Sequence, residues 1–275
     1  MRILDSHVHF WQIDRPGHRW PGEDWPRLYR NFLPDDLRRE TTALDFAGAI
    51  LVQSQPDDRD TDWLCELDDP LVRAVVGWVD LTDSGAPCRI VELAGHPKLK
   101  GLRPMLQGIV DTEWILRPAV SAAIEAMLDH GLRFDALVEP RHLPTLDTFA
   151  TRWPDLQIVI DHAAKPHASH NELDPWRDQI AALAERPNLW CKLSGLRTEQ
   201  AVGQAIGDLR PYVAHLVDSF GERLMWGSDW PVICHVGDSY VDWVVATLDL
   251  IGDSGRSDQD RLFHDAAASF YTIDV

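Results

Sequence analysis

Two histidines near the N-terminus, His7 and His9, stand two residues apart behind the apolar pair Ile3-Leu4. In a strand, positions i and i+2 point to the same side, so both imidazoles would project from one face. Paired imidazoles suit a divalent cation such as zinc, which takes nitrogen ligands at roughly 2.0–2.1 Å. The plain alternative is an amphipathic strand whose polar side meets water. Polar residues that recur at the ends of later apolar runs favour the first reading. Gln53 follows AGAILV, Arg103 follows LKGL, Glu139 follows FDALV, His162 follows QIVI and Asp, and Asp229 comes just after LMW.

Residue types then suggest the chemistry. Two imidazoles with one or two carboxylates, Asp229 and Glu139, make a ligand set that leaves a position open for water or substrate. A cation so held polarises a carbonyl or lowers the pKa of bound water toward about 7. A carboxylate at Asp229 can take the proton of an attacking water and return it to a leaving oxygen. His162 or Arg103 can steady negative charge developing on a carbonyl oxygen. Together these groups describe hydrolytic attack on a carbonyl.

Such a set needs a scaffold that brings strand ends together. Eight apolar runs are legible: the opening segment, then Ala47–Gln53, Val72–Val79, Leu99–Arg103, Phe134–Val138, Gln157–Ile160, Leu189–Leu193 and Leu224–Trp226. Helical stretches alternate with them, among them Asp35–Thr42, Asp58–Asp68, Pro118–His130, Arg141–Thr151, Pro175–Glu185, Glu199–Phe220 with breaks near Gly203, Gly207 and Pro211, and Ser239–Ile251, with Ser257–Tyr271 closing the chain. Strict alternation implies parallel strands joined by crossover helices. Eight units in 275 residues fit an α/β fold of the (β/α)8 TIM-barrel type, one barrel over 1–275. An open doubly wound sheet is the runner-up, but no Gly-rich fingerprint follows the first strand. In a (β/α)8 barrel the C-terminal strand ends carry the active site, which is where the polar residues collect. Residues 11–34 form a long loop whose five aromatics argue for order.

Composition narrows the function classes. With 26 basic against 44 acidic residues the formal charge is −18, which opposes binding to nucleic acid. No apolar run is long enough to span a membrane, and the N-terminus does not resemble a secretory signal. Four scattered cysteines without a C-x-x-C pair fit a reduced, cytoplasmic protein. Among twelve tryptophans, Trp11, Trp20, Trp25, Trp226 and Trp230 lie near strand ends or in the long loop, where flat faces can pack against sugar C–H surfaces.

The motifs D-x-H-x-H-F-W at the N-terminus, K-L-K-G-L-R-P (98–104), D-H-A-A-K-P (161–166), C-K-L-S-G (191–195) and L-M-W-G-S-D-W-P (224–231) resemble the amidohydrolase superfamily. They are most similar to its amidohydrolase-2 branch of lactonases, and within it to sugar-lactone hydrolases of the L-fuconolactonase and L-rhamnonolactonase type. The resemblance covers essentially the whole chain. It implies a metal-dependent hydrolase in which His7 and His9 match the strand-one metal motif, Asp229 the strand-eight catalytic carboxylate and His162 the strand-six histidine. Many superfamily members carry a carboxylated Lys or a His at strand four or five. Here Glu139 ends strand five, so one divalent ion, zinc or manganese, is expected rather than two.

Trp11, Gln53, Lys100, Arg103, Lys192 and Trp230 are the candidate substrate contacts, with Lys192 alternatively held in a polar network and Lys165 and His235 near the mouth without assigned roles. The expected partner is a small sugar lactone of the L-fucono-, L-galactono- or L-rhamnono- kind, and the expected assembly is a monomer or homodimer. A pyrone- or muconolactone-type dicarboxylate lactonase would want several arginines at the mouth. A metal-dependent decarboxylase would want an anionic substrate and cationic pocket. A non-enzymatic sugar- or metal-binding barrel would not need Asp229 for sugar binding alone.

Overall fold

A computed structural model describes residues 1–252 and 254–274. Eight strands form one sheet in chain order: β1 (Arg2–Val8), β2 (Asp45–Val52), β3 (Val72–Gly77), β4 (Leu99–Leu102), β5 (Arg133–Ala136), β6 (Ile158–Ile160), β7 (Leu189–Leu193) and β8 (Leu224–Trp226). Every neighbouring pair is parallel. The ring closes between the end of β1 and the segment after β8. There the His9 N–H donates to the Trp230 carbonyl at 2.8 Å and the Asp229 N–H to the His7 carbonyl at 2.9 Å. Gly227 permits this approach, because a Cβ there would stand 2.8 Å from the His7 Cβ. The expected (β/α)8 barrel is the fold observed.

The strands are rich in Val, Ile and Leu because both faces are covered. Crossover helices α1 (Pro34–Thr41), α2 (Asp58–Glu66), α3 (Ala86–Ala94), α4 (Pro118–Asp129), α5 (Leu143–Arg152), α6 (Trp176–Ala184), α7 (Arg210–Phe220) and α8 (Tyr240–Leu250) bury apolar faces such as Val120, Ala123, Ile124 and Met127. The chain closes with α9 (Arg256–Asp260), a π-helical turn at Arg261–Asp265 and α10 (Ala266–Tyr271). From α10, Ala267, Phe270 and Tyr271 pack among Leu4, Ile50, Ala74, Val159 and Met225 in the inner cluster.

Two sequence expectations change. The expected breaks in 199–220 take up its whole first half: Leu196–Glu199 and Ile206–Leu209 are short 3-10 turns, and α7 begins only at Arg210. Gly203 and Gly207 disfavour a continuous helix, and Pro211 fits the first turn of the new one. The fifth strand stops at Ala136 rather than Val138, which moves Glu139 well out of the sheet.

Candidate active site

β1 carries one residue more than its neighbour between Asp5 and Val8, which pair with Ala49 and Leu51 of β2. This bulge lets Leu4 face the inner cluster while His7 and His9 also turn inward. Their Nε2 atoms stand 3.1 Å apart. Asp229 Oδ1 lies 3.4 Å from His9 Nε2 and 3.8 Å from His7 Nε2. Atoms ligating one tetrahedral zinc at roughly 2.0–2.1 Å stand about 3.3 Å from one another, so three corners of such a site are already in place. His9 Nδ1 faces the Val52 carbonyl at 2.7 Å, so that nitrogen carries the hydrogen and Nε2 presents a lone pair. A lone pair aimed at a second imidazole and a carboxylate oxygen calls for a positive charge between them.

Backbone geometry fixes these groups. The Asp5 carboxylate accepts from the backbone N–H of His7 at 3.0 Å and of Ser228 at 2.9 Å, tying the end of β1 to the end of β8. Asp229 itself has φ 55°, a left-handed conformation held by that tie and by its N–H bond to His7. After β6, four consecutive non-glycine residues from His162 to Lys165 have φ between 50° and 60°. Each costs about 1 kcal/mol or more, so the surroundings must impose the turn. The Trp176 indole N–H donates to the Ala163 carbonyl at 2.7 Å, and Ser194 Oγ meets His162 Nδ1 at 2.9 Å. The turn presents both His162 and Lys165 to one cavity of about 580 Å³, lined also by His9, Arg103 and Asp229.

Below this floor lies a column of charges with no access to solvent. Lys192 of β7 pairs with Asp135 of β5 at 2.5 Å and Asp161, after β6, at 3.0 Å. Tyr271 donates to Asp135 at 2.6 Å. Asp161 Oδ1 stands 3.4 Å behind His7 Nδ1, and its Oδ2 lies 3.4 Å from Arg103. Burial pushes the imidazoles of His7 and His162 toward the neutral form, His162 down to about 4. Burial alone would raise Asp229, but His162, His9 and His7 around it outweigh that and keep it well below the usual carboxylate range. Lys192, His7 and Arg103 do the same for Asp161 against its own burial cost.

The model of the Amidohydrolase family matches residues 4–273. The chain belongs to the amidohydrolase family. An L-fucono-1,5-lactonase of Burkholderia ambifaria is 43% identical over 98% of this chain and 96% of its own. A second L-fucono-1,5-lactonase, from Burkholderia multivorans, is 35% identical over 98% and 96%. The crystal structure of an amidohydrolase from Burkholderia multivorans with bound zinc superposes with a TM-score of 0.91 at 31% identity, covering all of both chains.

In this amidohydrolase the structure gathers His7, His9, His162, Arg103 and Asp229 as the sequence suggests and sends the other candidates elsewhere. Glu139 lies three residues past the end of β5, is 40% exposed and pairs with Arg141 at 2.8 Å, away from the His7–His9–Asp229 cluster. Lys100 is three residues from Arg103, so strand alternation turns it to the other side, and it does not line the cavity. Lys192 belongs to the buried column and is sealed from the cavity. Gln53 is fully buried and donates to the Arg103 carbonyl at 3.0 Å, holding Arg103 rather than a ligand.

Trp11 and Trp230 form a rear aromatic row, both packed edge-on against Phe32, with the Trp11 indole N–H given to the Arg30 carbonyl at 2.8 Å. Trp20 and Trp25 stand in front of them on the cavity wall, and His235 packs on Trp25 with centroids 4.4 Å apart. Asp161, Asp135, Ser194 and Tyr271 are supporting residues that sequence reasoning passed over. An Asp next to His162 and charges inside the apolar runs RFDA and CKL were the available signals.

Proposed function

We propose that this protein is a metal-dependent lactonase that opens a sugar-acid lactone to its free acid, with L-fucono-1,5-lactone and its six-carbon relatives as the substrate class. The observation that carries this reading is the convergence of His7, His9 and Asp229 within 3.1–3.8 Å on a cavity faced by the indoles of Trp20 and Trp25. The cavity volume of about 580 Å³ falls in the range of small-molecule sites, roughly 300–1,000 Å³. The names of the two lactonase relatives and the zinc in the structural neighbour support it.

His7, His9 and Asp229 would hold one divalent ion, zinc or manganese, which would lower the pKa of a water and polarise the ester carbonyl. Asp229 is ionised at neutral pH; with Oδ1 turned to the imidazoles, Oδ2 is left to take the proton of the attacking water. When the Ser194 hydroxyl donates to Nδ1 of the neutral His162, Nε2 carries the hydrogen and serves as a donor to the carbonyl oxygen as it becomes anionic. Arg103, pinned by Gln53 and Asp161, adds fixed positive charge on the same side. Collapse of the tetrahedral centre breaks the ring C–O bond, and Asp229 returns its proton to the departing oxygen.

The test is a weakly buffered indicator assay, since ring opening releases an acid. L-Fucono-, L-galactono- and L-rhamnonolactones would be compared with a pyrone dicarboxylate and with aromatic carboxylates followed for CO2 release. A neutral sugar lactone should exceed every other class by about tenfold in kcat/KM, roughly 1.4 kcal/mol of transition-state discrimination. A dicarboxylate as best substrate, or CO2 release without lactone opening, would overturn the reading.

A further inference from the structure

The wall of the cavity beyond His162 is unusual in its charges. Lys165 and Glu199 line the main cavity and also an adjoining one of about 420 Å³. Their side chains are only 23% and 24% exposed, and Lys165 Nζ lies 3.0 Å from Glu199 Oε1. The second cavity has two further basic residues, each beside a carboxylate: Arg141 with Glu139 at 2.8 Å, and His167 with Glu172 at 3.5 Å. Deeper in, Arg103 faces Asp161. Along this side, each of these basic groups has a carboxylate at hand.

We propose that Glu199 is a specificity residue: by occupying Lys165 it makes the cavity select uncharged lactones and reject lactones that bear a second carboxylate. This rests on the lactonase reading above. The left-handed turn holds the Lys165 backbone at the cavity wall, so the ammonium remains within reach of the cavity when Glu199 is neutral. With Glu199 ionised, an incoming carboxylate must displace an ion pair and meets the repulsion of Glu199 itself. Glu199→Gln keeps the shape, removes that repulsion and leaves a partly buried cation without its partner. A partly buried charge pair is screened less than a surface one, so the effect is large enough to read in kinetics.

The measurement is the ratio of kcat/KM for D-glucaro-1,4-lactone, which carries a carboxylate, to that for L-fucono-1,5-lactone. In Glu199→Gln the ratio should rise at least about tenfold over wild type, chiefly through KM, and the gain should shrink in 0.5 M salt. Lys165→Met should move the ratio in the opposite direction, because it leaves the Glu199 carboxylate uncompensated. Adding Lys165→Met to Glu199→Gln should abolish the gain. An unchanged ratio in both single variants, or a gain that survives in the double variant, would overturn the proposal; should one variant fail to fold, the other still decides by the sign of its shift. Should wild type open neither lactone, the lactonase reading itself fails. The charge argument is then judged by calorimetry with glucarate dianion, which Glu199→Gln must bind at least about tenfold more tightly than wild type.

Discussion

Gly195→Ala isolates the contribution of His162 better than removing the imidazole. Gly195 has φ +63°, and a Cβ there would lie 2.4 Å from His162 Nδ1 and 2.6 Å from Cγ. Ordinary contact begins near 3.4 Å, so the ring must retreat by about 1 Å. That retreat breaks the 2.9 Å contact with Ser194, worth about 1 kcal/mol as a buried neutral hydrogen bond. The left-handed backbone costs an alanine about 1 kcal/mol more. The sum is about 2 kcal/mol, a fall of about 4–8 °C in Tm for a chain of this size. Displacing a catalytic group by about 1 Å can cost on the order of 10²-fold in rate.

Gly131→Ala supplies the control, because Gly131 has φ +65° with nothing within 4 Å of the added methyl. It should lose about 1 kcal/mol of stability, for the same backbone reason, and keep its turnover. Both variants would be followed by thermal denaturation and by the indicator assay. If Gly195→Ala retained more than about a third of wild-type kcat/KM, the placement of His162 would not matter to the reaction, and its assigned role would be refuted.

Four further outcomes are expected. Asp229→Asn should fold normally and lose about 10²–10⁴-fold in kcat, since Asn cannot accept a proton; retention of a tenth of wild-type turnover would contradict the assignment. Protein purified without chelator should contain close to one divalent ion per chain by elemental analysis, with His7→Ala or His9→Ala reducing that content; metal-free protein whose turnover ignores both chelators and added zinc or manganese would contradict it. Lys192→Met should be destabilised by about 3–5 kcal/mol in urea titration, because Asp135 and Asp161 then stay buried without their cation. Between about pH 6.5 and 4 His162 should withdraw stability as pH falls, because unfolded His162 binds a proton that the folded site, with its value near 4, refuses, while buried Asp5 and Asp135, raised to about 6, act in the opposite sense. Replacing His162 with Gln should remove its share of the pH dependence, read as the difference in slope from wild type, and an unchanged slope would count against it.

What the sequence disclosed and what it hid follow from the range of the interactions involved. His7, His9, His162 and Asp229 could be found because each sits at the end of an apolar run, and run and end are local in sequence. The barrel was legible for the same reason, since eight alternations leave few topologies. Direction and exact length were harder. Glu139 is a strand-end residue only if β5 runs to Val138; a strand ending at Ala136 lets the following loop carry it to Arg141. Lys100 fails on parity, three residues from Arg103. Nothing in His-Ala-Ala-Lys announces a left-handed turn, because its cause lies in Trp176, Ser194 and the missing side chain of Gly195. Trp11 and Trp230 are real neighbours of the site, but only the depth of the aromatic row shows that Trp20 and Trp25 stand in front of them.

The buried column gives these placements a common electrostatic logic. Lys192 and Arg103 bring two positive charges, and Asp5, Asp135, Asp161 and Asp229 bring four negative ones at neutral pH, so the centre of the barrel carries a net charge of 2 − 4 = −2 with its imidazoles neutral. Buried excess charge is expensive unless something answers it. Asp229 is the carboxylate at the cavity end of this array, beside two imidazole nitrogens, so the imbalance is exposed at the one place where a cation can reach it from the cavity. With one divalent ion held there the count becomes zero, which removes the net negative charge that would oppose an oxyanion forming on a neutral lactone. Asp161 links the two halves: one oxygen backs His7 while the other faces Arg103, and Lys192 holds it from below. The apparently structural ion pairs under the floor therefore set the charge of the site above it, and Glu199 at the wall keeps Lys165 from adding to that charge.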